Sequence, residues 1–445
     1  VFNKLTTTSI SYTVNVPLAI DATQGVLISS EEDWQTFTAL VNREYNDLNA
    51  ALTADIDLGT EITMVGTSSN PYSGIFDGGG HSITVDWTAT GDSIAPFLEV
   101  SGGTIQNLRT KGHITSAYSY LSGMVINGNN LTLTHCSSEM NLTENGDNTP
   151  FGVGLICYLS GDNNVISDCI VTGTFENTTD TDKGFWAGFI HSSNGNCTMS
   201  NCLYAGTNND YFFDLIELGK IYPDNCYAID TSGAWDSWKC TDVTAEQLAS
   251  GEVALLLQNS RTDAAYWAQV LGEAAPRLYR EADKSLPNYI YYNKENGAWT
   301  CDDVQIADGT ALPIGIDVYA KSATITRGMT AGKAYTITLP FAWQEAGKAY
   351  TLTSVEGNVA YFQQVTLEAG KSYEAYKPYL FVPESDVTSI SASGITIDSE
   401  PAQPVTEDAG GIQWCATYKG LTNEAAANAN AYILQSDGQF HKVTT

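Results

Sequence analysis

Charge is scarce in this chain of 445 residues. Asp, Glu, Lys and Arg make up 16% of it, against the usual quarter. Basic side chains are the scarcest: 20 Lys and Arg stand against 51 Asp and Glu, for a net charge of -31. No Lys/Arg stripe occurs, which argues against nucleic acid and anionic membrane as partners, since both need cationic patches. The five histidines (His81, His113, His135, His191 and His441) form no HExxH or other ligand spacing, which argues against zinc. No GxSxG elbow is present. The nine cysteines include no CxxC and lack the pattern of a small disulfide framework. No apolar run is long enough to span a bilayer. The chain starts at Val1 with neither an initiator Met nor a signal peptide, so a leader or anchor is expected to have been removed.

What is abundant suits strands and tight turns. Gly (39), Tyr (24), Thr, Ser and Asn are frequent, and 43% of residues are hydrophobic. The length predicts more than one domain. The most informative pattern is periodic. Cys136, Cys169, Cys202 and Cys226 each follow a small polar residue (His135, Asp168, Asn201, Asn225), and Leu108 after Asn107 takes the same place one step earlier. The intervals are 28, 33, 33 and 24 residues. A second beat reads Gly-Met-Val-Ile from Gly123, Gly-Leu-Ile-Cys from Gly154 and Gly-Phe-Ile-His from Gly188. Self-similarity at this period marks a stacked repeat. The cysteines are expected as a buried inner ladder, with Cys240, Cys301 and Cys415 outside the repeat. Asn107, Asp168, Asn201 and Asn225 are expected as a polar ladder at a turn. Period-2 alternation predicts that Met124 and Ile126 share a face, as do Leu155 and Cys157.

Residues 1–28 are β-prone. Ser30 with Asp33 three residues on predicts a helix N-terminus, and Trp34, Phe37, Leu40, Val41 and Tyr45 form its apolar face. Such a helix reads as a cap on the end of a stack. Gly78-Gly79-Gly80 predicts a tight turn and not a phosphate loop. Thr244 with Gln247 predicts a second helix start. From about residue 312, short strands separated by Gly-Lys or Glu-Gly turns predict a β-sandwich. The sequence stops just after a strand-like run at 431–443, and a final strand is expected to be missing or supplied from elsewhere.

Several of these stretches resemble one family. "DIDL … YSGIFDGGGHSITV" is similar to the entry of parallel β-helix domains in bacterial surface proteins with GLUG-type repeats, common in gut Bacteroidetes. "YLSGMVING", "FGVGLICYLSG" and "FWAGFIHSSNG" look like degenerate GLUG repeats, with Ser122, Val153 and Ala187 replacing the second glycine. "TAEQLASGEVALLL … YWAQVLGEAAPRL" resembles a segment that follows those repeats. "TITLPFAW … KAYTLTSVEGN … VTLEAGKSYEAYKPYLFV" resembles their C-terminal sandwich. The resemblance implies an all-β fold: a right-handed parallel β-helix with a capping helix, then a β-sandwich. The divisions are 1–50 (strands and capping helix), 51–235 (repeats), 236–311 (a segment capping the far end of the stack) and 312–445 (sandwich). It also implies an extracellular or outer-surface location and a non-catalytic adhesin-like role, with a glycan or a host or microbial surface protein as partner.

The candidate binding residues are aromatic. Tyr120, Phe151 and Phe185 each precede the repeat glycine by three residues, so they align either as a core stack or as an outer stripe offering flat rings to sugars. Trp186 and Tyr118 fall off that register and are expected outside. Cys157 and His191 occupy analogous repeat positions and are read as packing neighbours, not as a catalytic pair. The alternative function is a polysaccharide lyase or hydrolase, which needs placed carboxylates, a base and a cation. The carboxylates available are Asp77, Asp86, Asp92, Asp147, Asp162, Asp168 and Asp182. Arg109 and Lys111 share a strand face and are read as solvated edge charges. No cofactor is implied; Asp180-Thr181-Asp182 is the one candidate Ca²⁺ site, but it is short of oxygen ligands and reads rather as a flexible turn. A third reading is a structural unit of a surface assembly.

Overall fold

The computed structural model describes residues 18–89, 93–117, 120–145, 151–178, 185–208, 213–218, 221, 223–229, 240–310, 312–399, 407–408, 413–415 and 422–444. The fold is all-β, with four short helical segments of six residues or more among the described residues. Up to about residue 243 the chain visits three sheets in rotation. Thr104–Gln106 lies in the first sheet, Arg109–Ser116 in the second, and Tyr120–Ser122 and Val125–Asn129 in the third; the cycle then repeats. From Gly25–Ile28 on, strands pair in parallel with the strand one circuit later: Ile105 with Leu133, Thr110 with Ser138, Tyr120 with Phe151. The inner faces of the three sheets meet in one core, where Phe76, Ile105 and Leu133 meet Ile83, Ile114, Leu142, Leu121 and Ile156.

Both sequence beats have a backbone cause. Asn107, His135, Asp168, Asn201 and Asn225 turn the chain from the first sheet into the second, all with φ between 52° and 55°. That left-handed conformation penalises most residues but is tolerated by Asn and Asp, whose short polar side chains bond locally. The residue that follows then points inward. Leu108, Cys136, Cys169, Cys202 and Cys226 are buried as one column, and each of the four thiols donates weakly to the carbonyl two residues before it. Cys240 belongs to this column, contrary to its expected place outside the repeat. Thr241 pairs with Tyr227, so Cys240 sits one rung beyond Cys226 after a circuit of only 14 residues. The glycine beat answers to close approach. A Cβ on Gly123 would lie 2.3 Å from the Gly154 carbonyl oxygen, and one on Gly154 would lie 2.1 Å from that of Gly188.

The chain bends at these glycines, and the bend breaks the predicted alternation. Met124 and Leu155 are in the common core, whereas Ile126 and Cys157 lie in a separate cluster with Ala95, Val153 and Ala187. They do not share a face as expected, because strand geometry resumes only at Val125 and Ile156.

Helix α1, Glu31–Arg43, closes the first-rung end of the core. Ser30 Oγ accepts the Asp33 N–H at 3.2 Å, and Asp33 Oδ2 accepts the Ser29 N–H at 2.9 Å. Trp34, Phe37 and Val41 are fully buried, with the Trp34 ring edge-on to Phe76 (5.8 Å) and Phe97 (5.9 Å). Tyr45, expected on this face, lies beyond the helix and is exposed, and Leu40 is half-buried. Residues 1–17 of the predicted β-prone start lie outside the described residues; Ala19–Asp21 and Gly25–Ile28 form a hairpin on the first sheet.

After residue 243 come α2, Ala245–Ser250, with the predicted capping box of Thr244 and Gln247, and α3, Glu252–Gln258. Gly251, at φ 90°, separates them. A seven-stranded sheet and a four-stranded antiparallel sheet then share one core, in which Ile325 and Ile390 meet Phe341, Trp343 and Phe381. The seven-stranded sheet crosses the expected division at 311/312: Ala298–Cys301 and Val304–Ala307 pair in parallel with Val318–Met329. The strand-like run at the end of the sequence is a hairpin of Tyr432–Leu434 and Phe440–Lys442, and Phe440 stacks on Phe362.

Candidate functional site

Four of the five aromatic candidates lie on strands of the third sheet. Tyr120, Phe151 and Phe185 align in one row by strand register. Alternation sends Leu121, Gly152 and Trp186 inward. Trp186 is therefore not the exposed ring its off-register position suggested. It is 1% exposed and stacks on Phe175 at 5.6 Å, and Gly152 leaves the space it fills: a Cβ there would lie 1.8 Å from the indole. Tyr120 is the half-buried member of the row and packs outside the common core, so the outer stripe, not the core stack, describes it. The Phe151 and Phe185 side chains and all of Tyr118 lie outside the described residues.

A second outward row runs parallel to the first. Glu99, Asn127, Tyr158 and Ser192 follow one another in register, all half-buried. Between the rows lie Ala95, Ser122, Val153, Ala187, Ile126 and Cys157, all buried. Ser122, Val153 and Ala187, each preceding a glycine of the second beat, follow one another in register here. The Tyr120 and Tyr158 rings meet at 5.1 Å and 71°, and Tyr158 is edge-on to His191 at 5.5 Å. Asn127 Nδ2 donates to Glu99 Oε1 at 2.7 Å. Sequence reasoning missed the second row, because Glu99, Asn127 and Ser192 look like ordinary strand polars until the register is known. Cys157 and His191 are neighbours across adjacent strands, as their repeat positions implied. Burial pushes the Cys157 thiol up, away from thiolate formation, so the pair has no activated nucleophile.

The polar turn ladder has a different role. The chain after α3 runs back along it in the opposite direction. Asn225 Nδ2 donates to the Leu256 carbonyl, Asn259 Nδ2 donates to Asn201 Oδ1, and Arg261 grips Asp168 with two nitrogens at 2.7 and 2.9 Å. The buried Trp267 indole N–H donates to the same carboxylate at 3.0 Å, and Tyr266 lies against the Arg261 guanidinium, 3.8 Å from ring centre to Cζ. Further on, Tyr279 offers its carbonyl to His135, and Arg280 lies over Gly80. The strap does more than close the far end of the stack, as its sequence suggested. It covers the flank, and Trp267 and Leu248 pack with Ile170, Leu203 and Tyr227 on the outer face of the second sheet. His135 keeps part of its surface, but loss of hydration under the strap pulls its pKa below the ordinary value, against the opposing charge of Asp168.

Three of the carboxylates weighed for catalysis are engaged in structure. Asp77 accepts from Gly79, Gln106 and Asn107, Asp162 accepts from Asn196, and Asp168 holds the strap. Asp86 lies on the second sheet, in register with His113. Asp92, Asp147, Asp182 and the Asp180-Thr181-Asp182 stretch lie outside the described residues. Arg109 and Lys111 are not edge charges. Their strand is paired on both sides, and Arg109 bonds Glu139 at 2.9 Å across it. Among the described residues, no group of three or more His, Cys, Asp or Glu is arranged to hold a metal ion. No helix there is long and apolar enough to cross a membrane. Comparison with family models, curated proteins and solved structures gave no match.

Proposed function

We propose that this chain is a secreted or cell-surface, non-catalytic binding protein of the adhesin kind. In this reading the three parallel sheets are the faces of one right-handed β-helix, and the two later sheets form a β-sandwich held beside it by the strap. The groove on the third sheet is the docking site for a glycan or for a host or microbial surface protein. One observation supports the reading: half-buried Tyr120 and Tyr158 meet on the third sheet outside the common core, with half-buried Asn127 and Ser192 in register with Tyr158. Rings offer flat apolar faces, while an amide, a phenol and a hydroxyl at successive rungs can bond a polar ligand. The engagement of Asp77, Asp162 and Asp168 in structure and a Cys157 thiol held protonated speak against a role for these groups in the lyase or hydrolase alternative. The test is an array of glycans and matrix proteins probed with wild type and with Tyr158→Ala. A hit lost in the variant supports the groove; a hit that the variant keeps moves the site elsewhere; a ligand shortened with time makes the protein an enzyme.

A second reading, a structural unit of an assembly, has its own support. Val359–Val365 is an edge strand paired on one side only among the described residues, with Val359 and Tyr361 exposed. Such an edge accepts an added strand.

A further inference from the structure

We infer that the buried cysteine column is a reversible oxidation site, at which a small organic disulfide joins thiols on consecutive rungs. Cys136, Cys169, Cys202 and Cys226 are at most 3% exposed, and Cys240 follows one rung on at 8%. The strands that begin just after them pair in register: Ser137 with Ile170, Ile170 with Leu203, Leu203 with Tyr227, and Tyr227 with Thr241. Each cysteine therefore faces the next across one rung. The sulfurs themselves are in contact. The Cys169 thiol lies in hydrogen-bond contact with those of Cys136 and Cys202, and the Cys202 thiol with that of Cys226. Cys226 Sγ also accepts the Cys202 N–H at 3.4 Å. Leu108 fills the same place on the rung before Cys136, so burial there does not of itself require sulfur.

The spacing suits a bridge. Neighbouring strands lie about 4.8 Å apart, inside the range of about 4.4–6.8 Å between Cα atoms that a disulfide spans. Equivalent places on successive rungs hold their Cα–Cβ bonds parallel, so the Cβ atoms are also about 4.8 Å apart, against about 3.8 Å in a relaxed disulfide. A bridge here carries strain, and strained bridges are readily reduced, which makes the site reversible. Because the column is closed in the native state, exchange takes place as the rungs open or fold. The thiolate of one cysteine attacks a sulfur of the oxidant RSSR, forming a mixed disulfide and releasing RS⁻. The neighbouring thiol then loses its proton and displaces the second RS⁻. Two cysteine thiols and RSSR become one cystine bridge and two RSH; the cysteines lose two electrons and the oxidant gains them. Cys157 and Cys301 are as deeply buried, but neither has a second thiol around it, so they serve as internal controls.

The experiment is refolding of the whole chain in a buffer of oxidised and reduced glutathione, followed by alkylation, digestion and mass spectrometry. Cys197→Ser and Cys415→Ser are carried throughout, to remove the half-buried thiol beside the column and the exposed one. Under excess oxidised glutathione the expected products are bridges between consecutive cysteines of the column, each with loss of two hydrogens, while Cys157 and Cys301 remain thiols. Excess reduced glutathione is expected to reopen the bridges with the fold retained. Cys169→Ser is expected to leave Cys136 a free thiol and to keep a bridge among Cys202, Cys226 and Cys240, whereas Cys157→Ser leaves the pattern unchanged. If the chain does not refold, the same map is read from native chain held in the buffer until its composition is constant. Column thiols that all stay free in the folded, equilibrated chain overturn the inference, and so do bridges that skip a rung or recruit Cys157 or Cys301.

Discussion

Asp168→Ala is expected to release the strap. The wild-type carboxylate is 5% exposed and accepts three hydrogen bonds, two from Arg261 and one from Trp267. Truncation leaves the Arg261 guanidinium facing the ladder without its partner. It also leaves the indole N–H of a fully buried tryptophan unbonded. Removing one member of a buried ion pair costs about 3–5 kcal/mol. The backbone adds to this. Residue 168 has φ 52°, and alanine in that region costs about 1–2 kcal/mol, which Asp is better suited to bear. Asp168→Asn is therefore the sharper probe, because Asn keeps the turn and one acceptor while losing the charge. Charge-assisted hydrogen bonds are worth about 1.5–3 kcal/mol, so roughly half the alanine effect is expected. A chain with two cores has no single unfolding free energy, so the assay is hydrogen exchange of the strap amides, which reads local opening. For Asp168→Ala, protection over residues 256–280 is expected to fall about 10³–10⁵-fold while the first-sheet strands near Phe76 keep theirs. Unchanged strap protection, or an equal loss throughout, would refute the idea that Asp168 holds the strap to the ladder.

Other consequences concern the pH response, the core and the thiols. His135 has a folded pKa below its unfolded value near 6.5, so the unfolded or open state binds more protons as pH falls. Strap stability should therefore rise with pH and be lost below about 6.5, and His135→Gln should flatten strap exchange in that window; a slope unchanged by the substitution would contradict the assignment. Trp186→Ala should cost about 3–5 kcal/mol and lower the melting temperature, because Trp186 is core, and Gly152→Ala should cost about 1–3 kcal/mol by overpacking the same ring. A Trp186→Ala protein of wild-type stability would return Trp186 to the surface. Cys157 and the buried thiols of the column should resist iodoacetamide in the native state, while exposed Cys415 reacts; mass spectrometry of the labelled protein decides this.

The repeat was legible because each beat records a backbone constraint. Asn and Asp mark left-handed turns, the next residue must face inward, and glycine marks places where the following rung occupies the Cβ position. Helix α1 was legible from its cap, and Thr244 likewise from its box. The faces of the aromatic residues were not. Tyr120 and Trp186 were assigned by their distance from the glycine, but alternation along each strand places them, and the bend at Gly123 and Gly154 resets the count. Cys240 was missed because its circuit is half the usual length. The strap's course along the flank is not legible, because no local pattern announces Arg261 as the partner of Asp168, 93 residues away. Glu99, Asn127, Tyr158 and Ser192 become a row only when four separate strands are set side by side.

The measurement that bears most directly on the central claim is binding of array-identified ligands by wild type, Tyr120→Ala and Tyr158→Ala in parallel, with strap exchange as a check on folding. The account predicts a ligand whose binding falls at least tenfold in both variants while strap protection is unchanged. Full binding by both variants would contradict it and move the site away from the third sheet.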